Sequence, residues 1–349
     1  MRPTFLCFSS ASICDIRVPL FPITKSQPVM FHWDRGLFLT SINLALDVTR
    51  RQKLGFMSHA HADHIARHEL GISTPQTAAL FRHRRGHHHR LKELPYRQPI
   101  EMGSMRLTTF PAGHCLGSAM LLAEAEEQSL LYTGDFKLGP SATSEEAELP
   151  AADILVMEST FGKPKYCLPP REKTIAELID LVQRLLAAGR TPVIHAYALG
   201  KAQEVTKLLT DTGVPVQQHP MTFAVSEVYR HCGVDLGKVS EYRGQHQPGH
   251  AIVTLPRGMK EFRLAGIEDP VSIAVTGWAM DPGTKYRQKV DHALPLSDHA
   301  DFDQLVETAK RVGAGQIYCT HGPQEFVEHL RAEGFNAMPV TGSYQTRMF

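Results

Sequence analysis

The sequence predicts an α/β protein made of two units, one inserted into the other. Three observations carry this reading. Short apolar runs closed by turn residues recur from Phe31 to Glu158 and return at Gln316 to Thr320. Strand-like and helix-like segments alternate between about Cys167 and Val290. Metal-ligating residue types gather in the first and last thirds of the 349 residues, on either side of that alternating block. A chain this long exceeds the usual single domain.

The elements follow in order. Met1 to Val29 is rich in Ser and Pro and without a clear period, which predicts a disordered leader over residues 1–29; its apolar centre is too interrupted by serines for an export signal. Gly36 to Asp47 reads as strand material, and Leu54 to Met57 as a strand leading into a histidine run at a strand-to-helix turn. Met105 to Phe110, Ser118 to Ala123, Ser129 to Thr133 and Ile154 to Glu158 read as further strands. Ile175, Leu178, Ile179, Val182, Leu185 and Leu186 recur at helical spacing up to Gly189. Strand and helix then alternate: Pro192 to Ala196, a helix from Lys201, Val214 to Gln217, a helix through Val225, and strands at Ala251 to Leu255 and Val271 to Thr276. Asp301 caps a helix carrying Phe302, Leu305, Val306 and Ala309, and a strand from Gln316 delivers His321 ahead of a last helix.

Composition narrows the class. Hydrophobic content of 42% and charged content of 21% are those of a soluble globular protein. With 37 Lys+Arg against 36 Asp+Glu there is no global basic field, so any grip on a polyanion must be local. The run Arg82 to Lys92, dense in Arg and His, reads as a basic loop, either a solvated face or the border of a polyanion cleft. Six scattered cysteines without C-x-x-C spacing fit reduced thiols and a cytoplasmic location. No apolar run reaches membrane-spanning length.

The chemistry lies in His59-Ala60-His61-Ala62-Asp63-His64. Imidazole nitrogen and carboxylate oxygen are ligands that zinc favours, and H-x-H can address one ion while Asp63 and His64 turn to a second. His114, Asp135 and His321 each stand at the end of a separate apolar segment and complete a two-metal set. Two zinc ions about 3.5–4 Å apart can share a hydroxide and clamp both oxygens of an in-line displacement. The expected ligands are His59, His61 and His114 for one ion and Asp63, His64 and His321 for the other, with Asp135 bridging beside Gly134. Asp47 is expected to orient a ligand histidine, or else to serve as a turn or capping residue. Gly200 and Lys201 open a helix and read as a phosphate cradle. Trp278 and Tyr286 are candidates for base stacking, with packing the alternative for Trp278.

Taken together these residues resemble the metallo-β-lactamase superfamily. Glu158 in Met157-Glu158-Ser159-Thr160-Phe161-Gly162, His299 in Ser297-Asp298-His299-Ala300-Asp301 and His321 in Thr320-His321-Gly322 are similar to the motifs of its β-CASP nucleic-acid-processing branch. Ala196 to Gln203 is especially similar to bacterial ligase-associated DNA exonucleases. The resemblance implies a metallo-β-lactamase αββα sandwich from residues 30–166 and 291–349, with a β-CASP α/β domain inserted at 167–290 and the active site between them. It implies two Zn2+ ions, with Mn2+ as the alternative, and Asp63, Glu158 and His299 as catalytic residues, Glu158 and His299 pairing near the scissile phosphate.

The function so implied is a zinc-dependent phosphodiesterase acting on nucleic acid. DNA end processing in repair by a 5′ to 3′ exonuclease, in functional association with DNA ligase and helicase, is favoured. An RNA-processing nuclease is the alternative, since a histidine at His321 is more typical of RNA-processing members. A small-molecule lactonase or thioesterase of the same superfamily ranks lower, because those lack the inserted block.

Overall fold

A computed structural model describes residues 29–256 and 266–340. The expected leader therefore lies, apart from Val29, outside the described residues. Among the described residues, three sheets form a mixed α/β structure. The first runs Phe31–Trp33, Leu37–Leu39, Leu44–Leu46, Leu54–Phe56, Leu70–Ser73 and Leu91–Glu93 from edge to edge, antiparallel at its start and parallel from Leu44 onward. The second is ordered Ala337–Pro339, Gln316–Thr320, Ile154–Glu158, Ser129–Tyr132, Ala119–Glu124, Met105–Pro111 and Ile100–Met102. Its first four strands are mutually parallel and the rest antiparallel.

The two-residue period of these strands explains how the layers meet. Leu121, Leu130 and Val156 bury one face of the second sheet against Leu39, Leu46 and Phe56 of the first. The alternate residues Leu122, Leu131 and Leu155 bury the other face under helices Phe302–Val312 and Gln324–Ala332, through Leu305, Phe326 and Leu330. Helix Pro75–Arg85 covers part of the first sheet's outer side, where Phe81 meets Met57 and Ile65.

The third sheet is parallel throughout: Val239–Glu241, Val216–Gln218, Ala251–Thr254, Thr191–His195, Pro270–Val275 and His292–Leu294. Helices Arg171–Ala187 and Lys201–Thr210 pack on it through Leu178, Val182 and Val205. Its edge strand His292–Leu294 lies past Val290, so the chain leaves this sheet later than the sequence suggests.

Local chemistry sets the helix ends. The Asp301 carboxylate accepts the Gln304 N–H at 2.9 Å as the expected cap, and Gly313 stops that helix at φ +69°. Two expectations fail nearby. No helix follows the histidine run; the chain continues through a loop to Leu70–Ser73, and the helix begins only at Pro75, capped by Thr74. Arg82 to Arg85 end that helix rather than forming a loop. Among the described residues, no helix is long and apolar enough to cross a membrane.

Leu130 is fully buried in the cluster shared by the first two sheets. Truncating it to alanine should cost about 2–5 kcal/mol, read as a lower urea midpoint with an unchanged m-value; a midpoint equal to wild type would show that the two sheets do not depend on this contact.

Candidate metal centre

Every expected donor from the first two sheets leaves the C-terminal end of a strand. Asp47 follows Leu44–Leu46, the histidine run follows Leu54–Phe56, and His114 follows Met105–Pro111. Asp135 follows Ser129–Tyr132, Glu158 ends Ile154–Glu158, and His321 follows Gln316–Thr320. A rigid scaffold thereby presents short loops to one place. The Ala119 N–H, donated to the Ser58 carbonyl at 2.8 Å, ties the histidine loop to the second sheet. Gly134, at φ +55°, lets the Asp135 turn approach: a Cβ there would meet Ser58 Oγ at 2.6 Å.

The backs of the imidazoles fix their protons. His61 Nε2 faces the Leu199 carbonyl at 3.1 Å, and His114 Nδ1 faces the Asp298 carbonyl at 2.8 Å. A carbonyl only accepts, so both nitrogens carry hydrogen. Ser58 Oγ gives its proton to Asp47 at 2.5 Å and therefore accepts from His59 Nδ1–H at 2.9 Å. Asp47 likewise accepts from His64 Nδ1 at 2.9 Å.

In the neutral rings the opposite nitrogens are then bare, and they face one another. His59 Nε2 and His61 Nδ1 are 2.9 Å apart, and His61 Nδ1 and His114 Nε2 are 3.1 Å apart. Asp135 Oδ2 stands 3.6 Å from His59 Nε2 and 3.9 Å from His114 Nε2. These four donors lie within 4.8 Å of one another. Lone pairs packed this closely repel unless a cation joins them, and three imidazoles with a carboxylate fit a divalent ion.

Electrostatics agree with the geometry. Burial, reinforced by neighbouring imidazoles, lowers His59 well below the usual histidine range and His61 to about 4, and it lowers His114 as well. These rings stay unprotonated and keep their lone pairs. Burial opposes ionisation of Asp135, yet His64 and His299 hold it well below the usual carboxylate range. For His64 the order reverses: burial lowers it, but Asp135 and Asp47 together carry it well above.

Asp135 Oδ2 also reaches His64 Nε2 at 3.3 Å, so this carboxylate touches both expected ligand sets. The second set is looser. Asp63 is 83% exposed with Oδ2 at 3.9 Å from His64 Nε2, and the His321 ring centroid is 5.6 Å from that of His64, with burial lowering its pKa. Asp47 lies within reach of His59 and His64, but it accepts from Ser58 N at 2.7 Å, Ser58 Oγ, His64 and Tyr132 Oη at 2.9 Å. Its oxygens are committed to protein donors, which makes it an orienting group.

Glu158 and His299 meet beside Asp135. His299 Nδ1 is 3.0 Å and 3.1 Å from the two Glu158 oxygens, and Glu158 Oε1 also accepts the Phe136 N–H at 2.8 Å. The His299 ring packs edge-on against His114, with centroids 4.6 Å apart. Burial lowers its pKa, but Glu158 and Asp135 outweigh that and push it up to about 10. With Nδ1 committed, Nε2 is the nitrogen left to serve a substrate.

The structure corrects the phosphate cradle. Lys201 is 1% exposed, with Nζ 3.5 Å from Asp298 Oδ1 and 3.8 Å from Glu204 Oε2. The Gly200 N–H is donated to Gln203 Oε1 and the Ala202 N–H to the Tyr197 carbonyl. A glycine-lysine pair at a helix start showed where the residues sit, but gave no sign that buried carboxylates take the ammonium. Trp278 is packed by Phe161 and Tyr166, with centroids 4.6 and 5.3 Å away, whereas Tyr286 is 78% exposed.

Several site residues escaped sequence reasoning. Ser58 and Tyr132 flank recognised segments, and either could have been noticed as a donor beside a ligand loop. Arg84 reaches from the helix end to donate to the Ala60 carbonyl at 2.7 Å, which sets the basic run beside the histidine loop. The carbonyls of Leu199 and Asp298 leave no mark in a side-chain pattern.

No family model matches the chain. The chain is 36% identical over 315 residues to a probable DNA ligase of Opitutus terrae, covering 88% of this chain and 31% of that protein. It is 28% identical over 278 residues to the 5′ exonuclease Apollo of Gallus gallus, covering 74% of this chain and 56% of that protein. It is 31% identical over 124 residues to the endoribonuclease YSH1 of Kluyveromyces lactis, covering 35% of this chain and 16% of that protein. The chain thus spans less than two thirds of the length of each of these relatives.

Replacing Asp47 with Ala should weaken divalent-ion binding about 10–100-fold, as loss of an orienting partner does. Competition against a chromophoric chelator, with circular dichroism as the folding control, measures this; unchanged affinity would remove Asp47 from the centre.

Proposed function

Since the chain belongs to the β-CASP nuclease branch of the metallo-β-lactamase superfamily, we propose that it is a zinc-dependent hydrolase of phosphodiester bonds in nucleic acid. The observation that carries this reading is the meeting of three bare imidazole nitrogens with Asp135. We read the first two sheets and their helices as the αββα sandwich and the parallel sheet as the β-CASP insertion. Two bound zinc ions, or Mn2+ in their place, would supply Lewis acidity and a nucleophile at neutral pH.

The chain's own groups then divide the work. His59, His61, His114 and Asp135 form one ligand set; His64, Asp63 and His321 form the other, sharing Asp135. Glu158 holds the Nδ1 proton of His299, so that Nε2–H is offered to a phosphate oxygen or to the leaving group. Arg84 supplies positive charge beside the histidine loop, where a strand of phosphates approaches the centre.

DNA is the favoured substrate and 5′ exonuclease action the favoured mode, because the similarities that span most of the chain are to a probable DNA ligase and a 5′ exonuclease. A role in DNA repair or end processing, in functional association with DNA ligase and helicase, belongs to the same reading, and the likeness to a probable DNA ligase supports its ligase part. The RNA reading rests on the shorter likeness to an endoribonuclease. End-labelled single-stranded DNA, duplex DNA and RNA, each with and without a 5′-phosphate, separate these readings. Stepwise shortening of DNA from its 5′ end supports the proposal; internal cuts in RNA with DNA untouched would replace it by the second reading.

Asp135→Asn and His61→Ala should each lower turnover more than about a hundredfold, beyond the loss typical of an outer partner, and release bound metal. Full activity in either would refute the assigned centre. Arg84→Ala should reduce the slope of log affinity against log salt by roughly 0.7–0.9, the share of one phosphate contact; an unchanged slope would take Arg84 off the substrate path.

A further inference from the structure

We propose that Lys201 is a positioning residue for the metal centre. By fixing the Asp298 carboxylate it holds the Asp298 carbonyl against His114, and it anchors the helix start whose Leu199 carbonyl holds His61. The inference rests on the reading of the centre as a metal site.

Its basis is a buried seam between the inserted sheet and the histidine loops. Lys201 Nζ is fully buried without a hydrogen-bond partner, at ion-pair distance from Asp298 and Glu204. Glu204 is taken in turn by Arg171, and it accepts from Ser141 Oγ at 2.8 Å. Arg171 Nη1 also donates to the Ser297 carbonyl at 2.8 Å. Two cations of the inserted unit therefore grip the consecutive residues Ser297 and Asp298.

The helix start is seated as tightly. Gly200 is at φ +89°, and a Cβ there would meet Cys115 Cβ at 3.1 Å and Asp298 Oδ2 at 3.5 Å. Cys115 is the neighbour of His114. One small stretch, Leu199 to Lys201, thus meets the back of His61 directly and that of His114 through Asp298, both far from it in sequence. Without the ammonium, the Asp298 carboxylate would be buried unpaired and would turn toward water, drawing its own carbonyl off His114 Nδ1. Metal affinity and the seating of the inserted unit are then one equilibrium.

The test uses the full chain as Lys201→Met, Asp298→Asn and the double variant, with zinc affinity by chelator competition and the visible spectrum of the Co2+-loaded protein. Lys201→Met should weaken zinc binding about 10–100-fold and change the Co2+ spectrum. The double variant, which removes one charge of each sign and leaves Glu204 paired with Arg171, should recover most of the affinity and the wild-type spectrum. Wild-type affinity and spectrum in Lys201→Met would overturn the proposal, and so would a loss that the double variant fails to recover. A Lys201→Met chain that does not fold leaves the double variant to decide by the same two readings. A wild-type chain that binds neither zinc nor Co2+ would instead overturn the metal reading itself.

Discussion

Three imidazole nitrogens without a hydrogen among them meet at His61 Nδ1, which stands 2.9 Å and 3.1 Å from the other two, and the rest of the site is built to keep them so. Each ring is held from behind by a group that can only accept: Leu199 and Asp298 carbonyls, and a serine hydroxyl whose proton is already spent on Asp47. With the rear nitrogens so occupied, a tautomeric shift cannot settle the conflict at the front without breaking a buried hydrogen bond, and burial disfavours adding a proton to any of the three rings. A cation can. The two packed sheets serve this constraint, since parallel strand ends place six loops side by side and the shared apolar cluster prevents them from spreading.

Charge is graded across the centre. The ring triad is driven neutral by burial, whereas carboxylates raise His64, which packs on His59, and His299, which packs on His114. Asp135 lies between and contacts both kinds of ring, which is the position a bridging ligand requires. Glu158 and Asp47 are orienting carboxylates of the same type with different tasks. Asp47 accepts four protein donors and is closed to anything else, whereas Glu158 accepts the Phe136 N–H and commits one face of His299 while leaving that ring's second nitrogen for substrate.

Much of this was legible in the sequence, for a physical reason. Ser129–Tyr132 is an apolar run buried from Leu130 onward, Gln316–Thr320 alternates buried Ile317 and Cys319 with half-buried residues, and the donors that follow them are residue types with few other uses in such number. Helix Pro75–Arg85 was not legible, because its exposed turns are Arg and His and it buries little beyond Thr77, Ala78, Leu80 and Phe81. Three-residue strands such as Leu91–Glu93 and Val239–Glu241 are too short to display a period. Lys201 was misread because sequence shows a charge but not its partners, and Asp298 and Glu204 come to it only through tertiary contact.

A seam of buried ions between two units is a poor source of stability, since desolvation consumes most of what pairing returns. An apolar seam of equal size would hold the units together as well, and it would let one slide over the other at little cost. Sliding is what this centre could not survive, because carbonyls at 2.8 Å and 3.1 Å from two ring nitrogens lose their hold within a few tenths of an ångström. Ion pairs among Lys201, Glu204, Arg171 and Asp298 oppose such sliding, because their attraction falls as the partners separate. The stretch Leu199 to Lys201 therefore belongs to the surroundings of the ring triad, and the charged seam ties the carbonyls of Leu199 and Asp298 to the rear nitrogens of His61 and His114.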